Sequence, residues 1–189
     1  MKRTTLSIAA AAALMLSSAA FAQGYVGIAG GPTKGNYDCA GTITCDTTST
    51  GYKLFGGYKF SPNLGAEVGY FDFGKGKATF SNGVGGTIAG DVKATGFGAG
   101  LALFGQFAPD WSGVARLGIA TTKAKGSVVA GTVAGSISES STNPYFGLGV
   151  SYSLSKAVTV DGAIDFSKVK FVGDSANVRL MSIGVTFGF

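Results

Sequence analysis

Positions 178–189 alternate strictly between two kinds of side chain. One face carries Arg179, Met181, Ile183, Val185, Phe187 and Phe189, and the other carries Leu180, Ser182, Gly184, Thr186 and Gly188. Successive side chains of a β-strand point to opposite faces, so this strand has a large apolar side and a small, mostly uncharged side. In a soluble protein the small side would meet water and should carry charge. The pattern is typical of a strand whose large side chains face lipid and whose small ones fill a narrow barrel.

Period-2 segments bounded by turn residues predict eight strands, at about 24–31, 51–61, 64–73, 94–107, 111–122, 144–154, 158–168 and 178–189. Short connections (62–63, 108–110, 155–157) alternate with long ones (32–50, 74–93, 123–143, 169–177). This layout predicts an all-β fold, an eight-stranded antiparallel up-and-down transmembrane barrel with long loops outside the cell and both termini in the periplasm. A soluble β-sandwich is the alternative, and the charge-free outer faces favour the barrel.

The predicted faces are consistent along most strands, although glycine and alanine occupy both faces of the first. Large residues such as Phe97, Leu101, Phe146 and Leu148 point outward, and glycines point inward. An interfacial aromatic girdle is expected near the short turns, made of Tyr58, Phe60, Phe107, Trp111 and Tyr152.

The N-terminus has the three parts of a secretory signal. Lys2 and Arg3 precede an apolar stretch at 6–16, and Ala20-Phe21-Ala22 supplies small residues at a cleavage site. We expect a signal peptide over 1–22 and one barrel domain over 23–189. A transmembrane anchor is the alternative, but the apolar stretch is short for a span. The chain is therefore predicted to be exported to the outer membrane of a Gram-negative cell.

The segment GYKLFGGYKFSPNLGAEVGYFDFG, residues 51–74, resembles the second and third strands of the OmpA-like eight-stranded outer-membrane barrel family. The likeness extends more loosely over the mature chain, and the ending with Phe187 and Phe189 resembles the signal read by the outer-membrane assembly machinery. The family includes adhesins, tethers and small pores. Because this chain stops at the barrel, the resemblance implies no tether to the cell wall.

The sequence argues against an enzyme. It contains no histidine, which removes the usual general base, the Ser-His dyad and most metal sites. Asp161 and Asp165 share an inner face, but four strand residues place them about 13 Å apart, too far to flank one bond. No cofactor and no metal are expected.

Inward-facing charges are the main candidate site. By strand parity they are Lys53, Lys59, Glu67, Arg116, Asp161 and Asp165. A buried lone charge is very costly, so these groups should pair with one another. The paired charges form either a plug of ion pairs or a narrow ion path that opens when the pairs rearrange.

Cys39 and Cys45 lie in the first long connection with five residues between them. In an oxidising periplasm such a pair predicts a disulfide, which would stiffen the loop. A metal site is the alternative, but two thiols without histidine make a poor one.

Basic residues concentrate in or beside the long connections. With Lys34 they are Lys75, Lys77, Lys93, Lys123, Lys125, Lys168, Lys170 and Arg179. They are predicted to contact the phosphates of lipopolysaccharide, and plain solubilisation of the loops is the alternative. The net charge of +5 falls to +3 when Lys2 and Arg3 are removed with the signal peptide, and this is too small and too scattered to indicate nucleic-acid binding.

The sequence thus predicts a monomeric outer-membrane barrel with a structural and surface-interaction role. It would stabilise the envelope and present its loops to lipopolysaccharide, host surfaces or phage. A small, low-conductance, porin-like channel is the alternative function.

Overall fold

The structure is a computed structural model that describes residues 24–36, 42–81, 87–130, 133–171 and 174–189. Its strands are β1 (Gly24–Gly35), β2 (Thr42–Asp46), β3 (Thr48–Ser61), β4 (Leu64–Ser81), β5 (Thr87–Ala108), β6 (Trp111–Ala130), β7 (Val133–Ser153), β8 (Val158–Phe171) and β9 (Asp174–Gly188). The described ranges include no helix long and apolar enough to cross a membrane. The predicted signal peptide at 1–22 lies outside the described residues and stays a prediction.

Eight of the nine strands close into a ring. The order around it is β4-β3-β1-β9-β8-β7-β6-β5, and β5 pairs back with β4. Every pairing is antiparallel. The predicted all-β, eight-stranded antiparallel barrel is therefore confirmed. The ninth strand, β2, was not predicted; it lies in the first long connection and pairs with β4 beyond the part of β4 that pairs with β3.

The two faces of each strand meet different surroundings. On β9, Ile183 is 74% exposed whereas Leu180 is fully buried. The same contrast holds on β5, where Phe97 and Leu101 are exposed and Gly96 is buried. Because large apolar side chains cover the outside and small ones line the inside, the outer wall is suited to lipid.

The apolar outer wall is as tall as a membrane interior. Phe97 and Phe107 lie ten residues apart on β5, which at the usual rise and tilt gives a band of about 25 Å. The predicted girdle residues at the short-turn end are all exposed: Tyr58, Phe60, Phe107, Trp111 and Tyr152. A second aromatic group, not predicted, lies at the other end, where the rings of Tyr70 and Phe97 are 5.0 Å apart and Tyr52 stands beside Tyr70.

The predicted long loops are wrong over much of their length. β4 continues to Ser81 and β5 begins at Thr87, while β6 continues to Ala130 and β7 begins at Val133. Beyond the apolar band, polar side chains such as Lys123 and Lys125 take the place of apolar ones on the outward face, while Ala124 on the inward face is fully buried. The apolar alternation therefore ends although the ladder continues. Thr121 and Thr142, for example, form a cross-strand hydroxyl pair at 2.9 Å. The first predicted connection also contains the end of β1 and the start of β3. The fourth contains the end of β8 and the start of β9.

The barrel interior is packed in two apolar groups with charges between them. The group toward the long hairpins contains Phe71, Phe73, Val169, Val178 and Leu180, all at most 5% exposed. A smaller group of Tyr25, Ala29 and Phe55, with Phe104 against it, lies nearer the short turns. The charged side chains of the lumen are thus enclosed on both sides.

Candidate functional site

Arg116 and Glu67 form the first lumen ion pair. Arg116 Nε on β6 lies 2.8 Å from Glu67 Oε1 on β4, and both side chains are at most 7% exposed. The hydroxyl of Tyr25 donates to the other carboxylate oxygen at 3.1 Å. The guanidinium also lies over the Phe55 ring, 5.3 Å from its centroid. Arg116 Nη1 is buried with no hydrogen-bond partner among the described residues.

Lys53 and Asp165 form the second lumen ion pair, from β3 and β8. Lys53 Nζ lies 2.6 Å from Asp165 Oδ2, and both side chains are 1% exposed. Tyr145 donates its hydroxyl to Asp165 Oδ1 at 2.5 Å. Both carboxylate oxygens therefore have a donor, as a buried charge requires.

The other two predicted lumen charges are held differently. Asp161 accepts hydroxyl hydrogen bonds from Ser151 at 2.6 Å and from Thr186 at 2.5 Å. The expectation that Asp161 pairs with a cation is wrong among the described residues, because wall hydroxyls satisfy the carboxylate instead. Lys59 Nζ lies 4.2 Å from the centroid of the Phe104 ring. Both residues are only half-buried and line a cavity of about 520 Å³ at the short-turn end.

The lumen beyond Asp165 is apolar. Phe71 and Phe73 stack with 5.8 Å between ring centroids, and Phe71 also contacts the ring of Tyr145. Val169 and Leu180 complete this group and are at most 1% exposed. A hydrated ion moving along the axis would have to pass two closed ion pairs and then lose its water among these side chains.

The predicted basic residues lie on the outward faces of strands rather than in loops. Lys75, Lys93 and Lys125 are direct cross-strand partners on β4, β5 and β6, and we call them the lysine row. Lys93 Nζ lies 2.8 Å from Asp72 Oδ2, and the Lys93 side chain is 41% exposed. This hydrogen bond raises the pKa of Lys93, which lies beyond the apolar band, and keeps it charged. Lys77 faces Asp91 across the ladder, and Lys123 faces Thr95.

The other four predicted cations lie on the opposite wall. Lys34 and Arg179 are direct partners on β1 and β9, and Lys168 lies one ladder step from Arg179 on β8. Lys170 Nζ lies 3.8 Å from Glu139 Oε1. The cations predicted from sequence as one set are therefore separated into two outward-facing patches.

A bulge in β4 sets the position of the lysine row. Between Asp72 and Lys75, β4 holds one more residue than β5, and Gly74 takes a positive φ of 78° there. Asp72 Oδ1 accepts from the Gly74 backbone N–H at 2.9 Å, and Ser49 Oγ accepts from the Lys75 N–H at 2.9 Å. The extra residue lets Asp72 and Lys75 face the same side despite their odd spacing.

Several residues of this site were missed by sequence reasoning. Tyr25 and Tyr145 satisfy lumen carboxylates, and Asp72 neutralises a cation on the outer wall. Strand parity could have placed Tyr145 inside, because its neighbour Phe146 points out. Neither parity nor composition identifies Asp72, because its role depends on the bulge.

The chain terminus closes the ring. The backbones of Phe189 and Gly24 exchange hydrogen bonds of 2.8 and 3.1 Å, and the side chains of Phe187 and Phe189 are exposed. Their role as an assembly signal stays a prediction. Cys39 lies outside the described residues, and Cys45 is described only by its backbone pairing in β2. The predicted disulfide also stays a prediction.

A closed eight-stranded barrel with an apolar outer wall defines a membrane β-barrel protein. The family model of the outer membrane protein beta-barrel domain matches residues 8–189, and the chain belongs to this family. Its family therefore points to the outer membrane. No curated protein matches the chain.

Solved structures share the fold at low sequence identity. The attachment invasion locus protein Ail of Yersinia pestis is 22% identical, with 88% of this chain and 99% of that chain covered and a TM-score of 0.55. Neisserial surface protein A is 17% identical, with coverages of 88% and 97% and a TM-score of 0.61. The outer membrane protein OprG of Pseudomonas aeruginosa is 12% identical, with coverages of 88% and 96% and a TM-score of 0.56. These are outer-membrane proteins, and at such identities the likeness extends to the fold alone.

Proposed function

We propose that this protein is a closed, non-enzymatic barrel that stabilises the outer membrane and presents rigid β-hairpins at the cell surface. The observation that carries the proposal is the occupied lumen. The pairs Arg116–Glu67 and Lys53–Asp165 are buried, and an apolar group follows them along the axis. A barrel filled in this way serves as an anchor for what lies outside it.

The hairpins support an interaction role because they are ordered ladders. β6 and β7 pair without interruption from Trp111 and Tyr152 to Ala130 and Val133, far beyond the apolar band. An ordered hairpin loses less conformational entropy on binding than a flexible loop. Ail, which shares the fold, has been solved with the heparin analogue sucrose octasulfate. A host surface rich in anionic sugars is accordingly a suitable partner for these basic hairpins.

Shortening one hairpin tests the display role. Ala124 and Glu139 are cross-strand partners, so replacing residues 125–138 by Asn-Gly closes the ladder with a two-residue turn. We expect normal folding and membrane levels, but reduced adherence of whole cells to host-cell monolayers and heparin-coated beads. A second test variant shortens the β4–β5 hairpin between Lys77 and Asp91, which are also partners. Unchanged adherence in both variants would contradict surface display.

A low-conductance channel is the second candidate function. It is favoured by the cavity of about 520 Å³ at the short-turn end, which extends inward as far as Arg116. Rearrangement of the Arg116–Glu67 pair would have to connect this cavity with the far side of the apolar group. Conductance in planar bilayers separates this candidate from the closed barrel.

A further inference from the structure

The lysine row places three like charges side by side. Lys75, Lys93 and Lys125 are direct partners across β4, β5 and β6, and direct partners have Cβ atoms about 5 Å apart. Like charges at this spacing repel each other and destabilise the ladder. Asp72 neutralises Lys93, and the described residues place no carboxylate within ion-pair distance of Lys75 or Lys125. The row therefore has room for an external anion.

The surroundings of the row extend this positive charge. Lys77 and Lys123 lie one ladder step away on the same outward face. Asp91 faces Lys77, but its carboxylate also accepts from the Ser127 hydroxyl at 2.8 Å. Five lysines thus share this wall with two carboxylates. The imbalance is greatest at Lys75 and Lys125, both exposed.

An apolar furrow lies on the same wall, toward the membrane. It is an open groove of about 820 Å³ lined by residues that include Leu54, Val68, Tyr70, Phe97 and Ile119. The furrow is deep because two small residues lie in one row of cross-strand partners. The row runs from Val26 through Gly56, Val68 and Ala99 to Ile119. Phe97 and Lys93 are four residues apart on β5, a distance of about 13 Å along the strand. The lysine row therefore lies just beyond the furrow on the same wall, with the furrow inside the apolar band and the row at the level of the lipid headgroups.

We propose that this surface holds one phosphorylated lipid of the outer leaflet, with its phosphate on Lys75 and Lys125 and an acyl chain in the furrow. The inference rests on the proposed envelope-stabilising role and names the lipid chemistry that role would use. Lysines supply the selectivity, because each can bind a phosphate oxygen as a point charge. The furrow gains no hydrophobic energy, since neighbouring lipid tails are equally apolar, and it contributes dispersion contacts along the chain.

Lipid binding by the protein folded in detergent tests the proposal directly. Native mass spectrometry would count bound lipid A against phosphatidylcholine, with inorganic pyrophosphate as a soluble competitor. We expect lipid A to bind the parent at least tenfold more tightly than phosphatidylcholine, and millimolar pyrophosphate not to displace it. Lys75→Gln/Lys125→Gln should lower the lipid A affinity about tenfold. Lys93 is left intact because its removal would expose the Asp72 charge.

A matched variant and a furrow variant complete the experiment. Lys34→Gln/Lys168→Gln removes the same charge from the opposite wall, and it should change this affinity less than twofold. Ala99→Leu places a larger side chain in the furrow at a lipid-facing position and should weaken the binding of lipid A. The proposal is overturned if the lysine-row variant binds like the parent, if both double variants lose affinity equally, or if pyrophosphate displaces the lipid. None of these results depends on adherence or conductance, so a failure here is distinct from a failure of the closed-barrel function.

Discussion

Lys53 and Asp165 are 112 positions apart in the sequence, yet Lys53 Nζ lies 2.6 Å from Asp165 Oδ2 inside the barrel. β3 and β8 are not neighbours in the ring, so the pair crosses the lumen and joins opposite walls. Tyr145 links a third strand, β7, to the pair, because its hydroxyl donates to the same carboxylate. This contact fixes the interior more directly than any ladder bond, because it links strands that do not pair.

Asp165→Asn should strongly destabilise the barrel. The substitution leaves the Lys53 ammonium buried without a counter-charge, which in soluble proteins costs about 3–5 kcal/mol. Urea unfolding of the detergent-folded protein would measure the free energy of unfolding. Asp110→Asn, at an exposed short turn, is the control and should unfold like the parent. Equal stability of both variants would mean that the lumen is wet enough to screen Lys53.

Arg116→Ala should lower the temperature at which the folded band is lost on unboiled gels. Glu67 would keep only the Tyr25 hydroxyl as a donor, and its unpaired charge would draw in water and ions. Arg116→Lys retains the charge and should recover most of the loss. If the alanine variant keeps the parent's heat stability, Glu67 is not the buried partner that the structure places beside Arg116.

Strand parity predicted the faces of this barrel because its strands separate two different environments. Lipid outside and a narrow lumen inside impose opposite demands on successive side chains, so Arg116 and Phe97 can be placed from sequence alone. The sequence alone does not predict which charged residues pair with each other inside the lumen. Whether Lys53 meets Asp165 or Glu67 depends on the stagger of all eight strands, which no single segment encodes.

Outside the membrane, strand parity did not predict the strands. The outward face of the β6–β7 hairpin carries polar residues such as Lys123 and Lys125, and its buried inward face carries small ones such as Ala124. No alternation of large apolar residues marks its strands, so residues 123–143 resemble a loop in the sequence. The bulge at Gly74 has a similar effect on β4. Extrapolating period 2 from Asp72 would turn Lys75 inward, and only the extra residue restores it to the outer wall.

Gly74→Ala should cost about 1–3 kcal/mol in the free energy of unfolding. The residue has a φ of 78°, and a Cβ there would collide with Ser49 Oγ and the Thr50 carbonyl. Hydrogen exchange should rise first in the adjoining parts of β3 and β4. Gly105→Ala is the matched control, because a Cβ at Gly105 meets nothing within 4 Å. Identical exchange in both variants would show that the bulge tolerates a side chain.

Deleting Phe189 should lower the amount of protein in the outer membrane. The deletion removes the terminal pair with Gly24 and the aromatic end proposed as the assembly signal, while the β1–β9 ladder from Gly188 onward keeps its partners. Membrane fractionation and sensitivity to a periplasmic protease would report the loss. Phe189→Tyr keeps an aromatic end and should assemble normally. If the deletion variant reaches the parent's amount in the outer membrane, the aromatic chain end is not an assembly signal.

The central claim is that two buried ion pairs and the apolar group beyond them close the lumen. Recording single-channel currents of the purified protein in planar bilayers tests it most directly, with Arg116→Ala measured alongside. The closed barrel predicts rare, brief openings in the parent and more frequent openings in the variant. A steady conductance in the parent, unchanged by Arg116→Ala, would contradict the closed lumen and favour the channel.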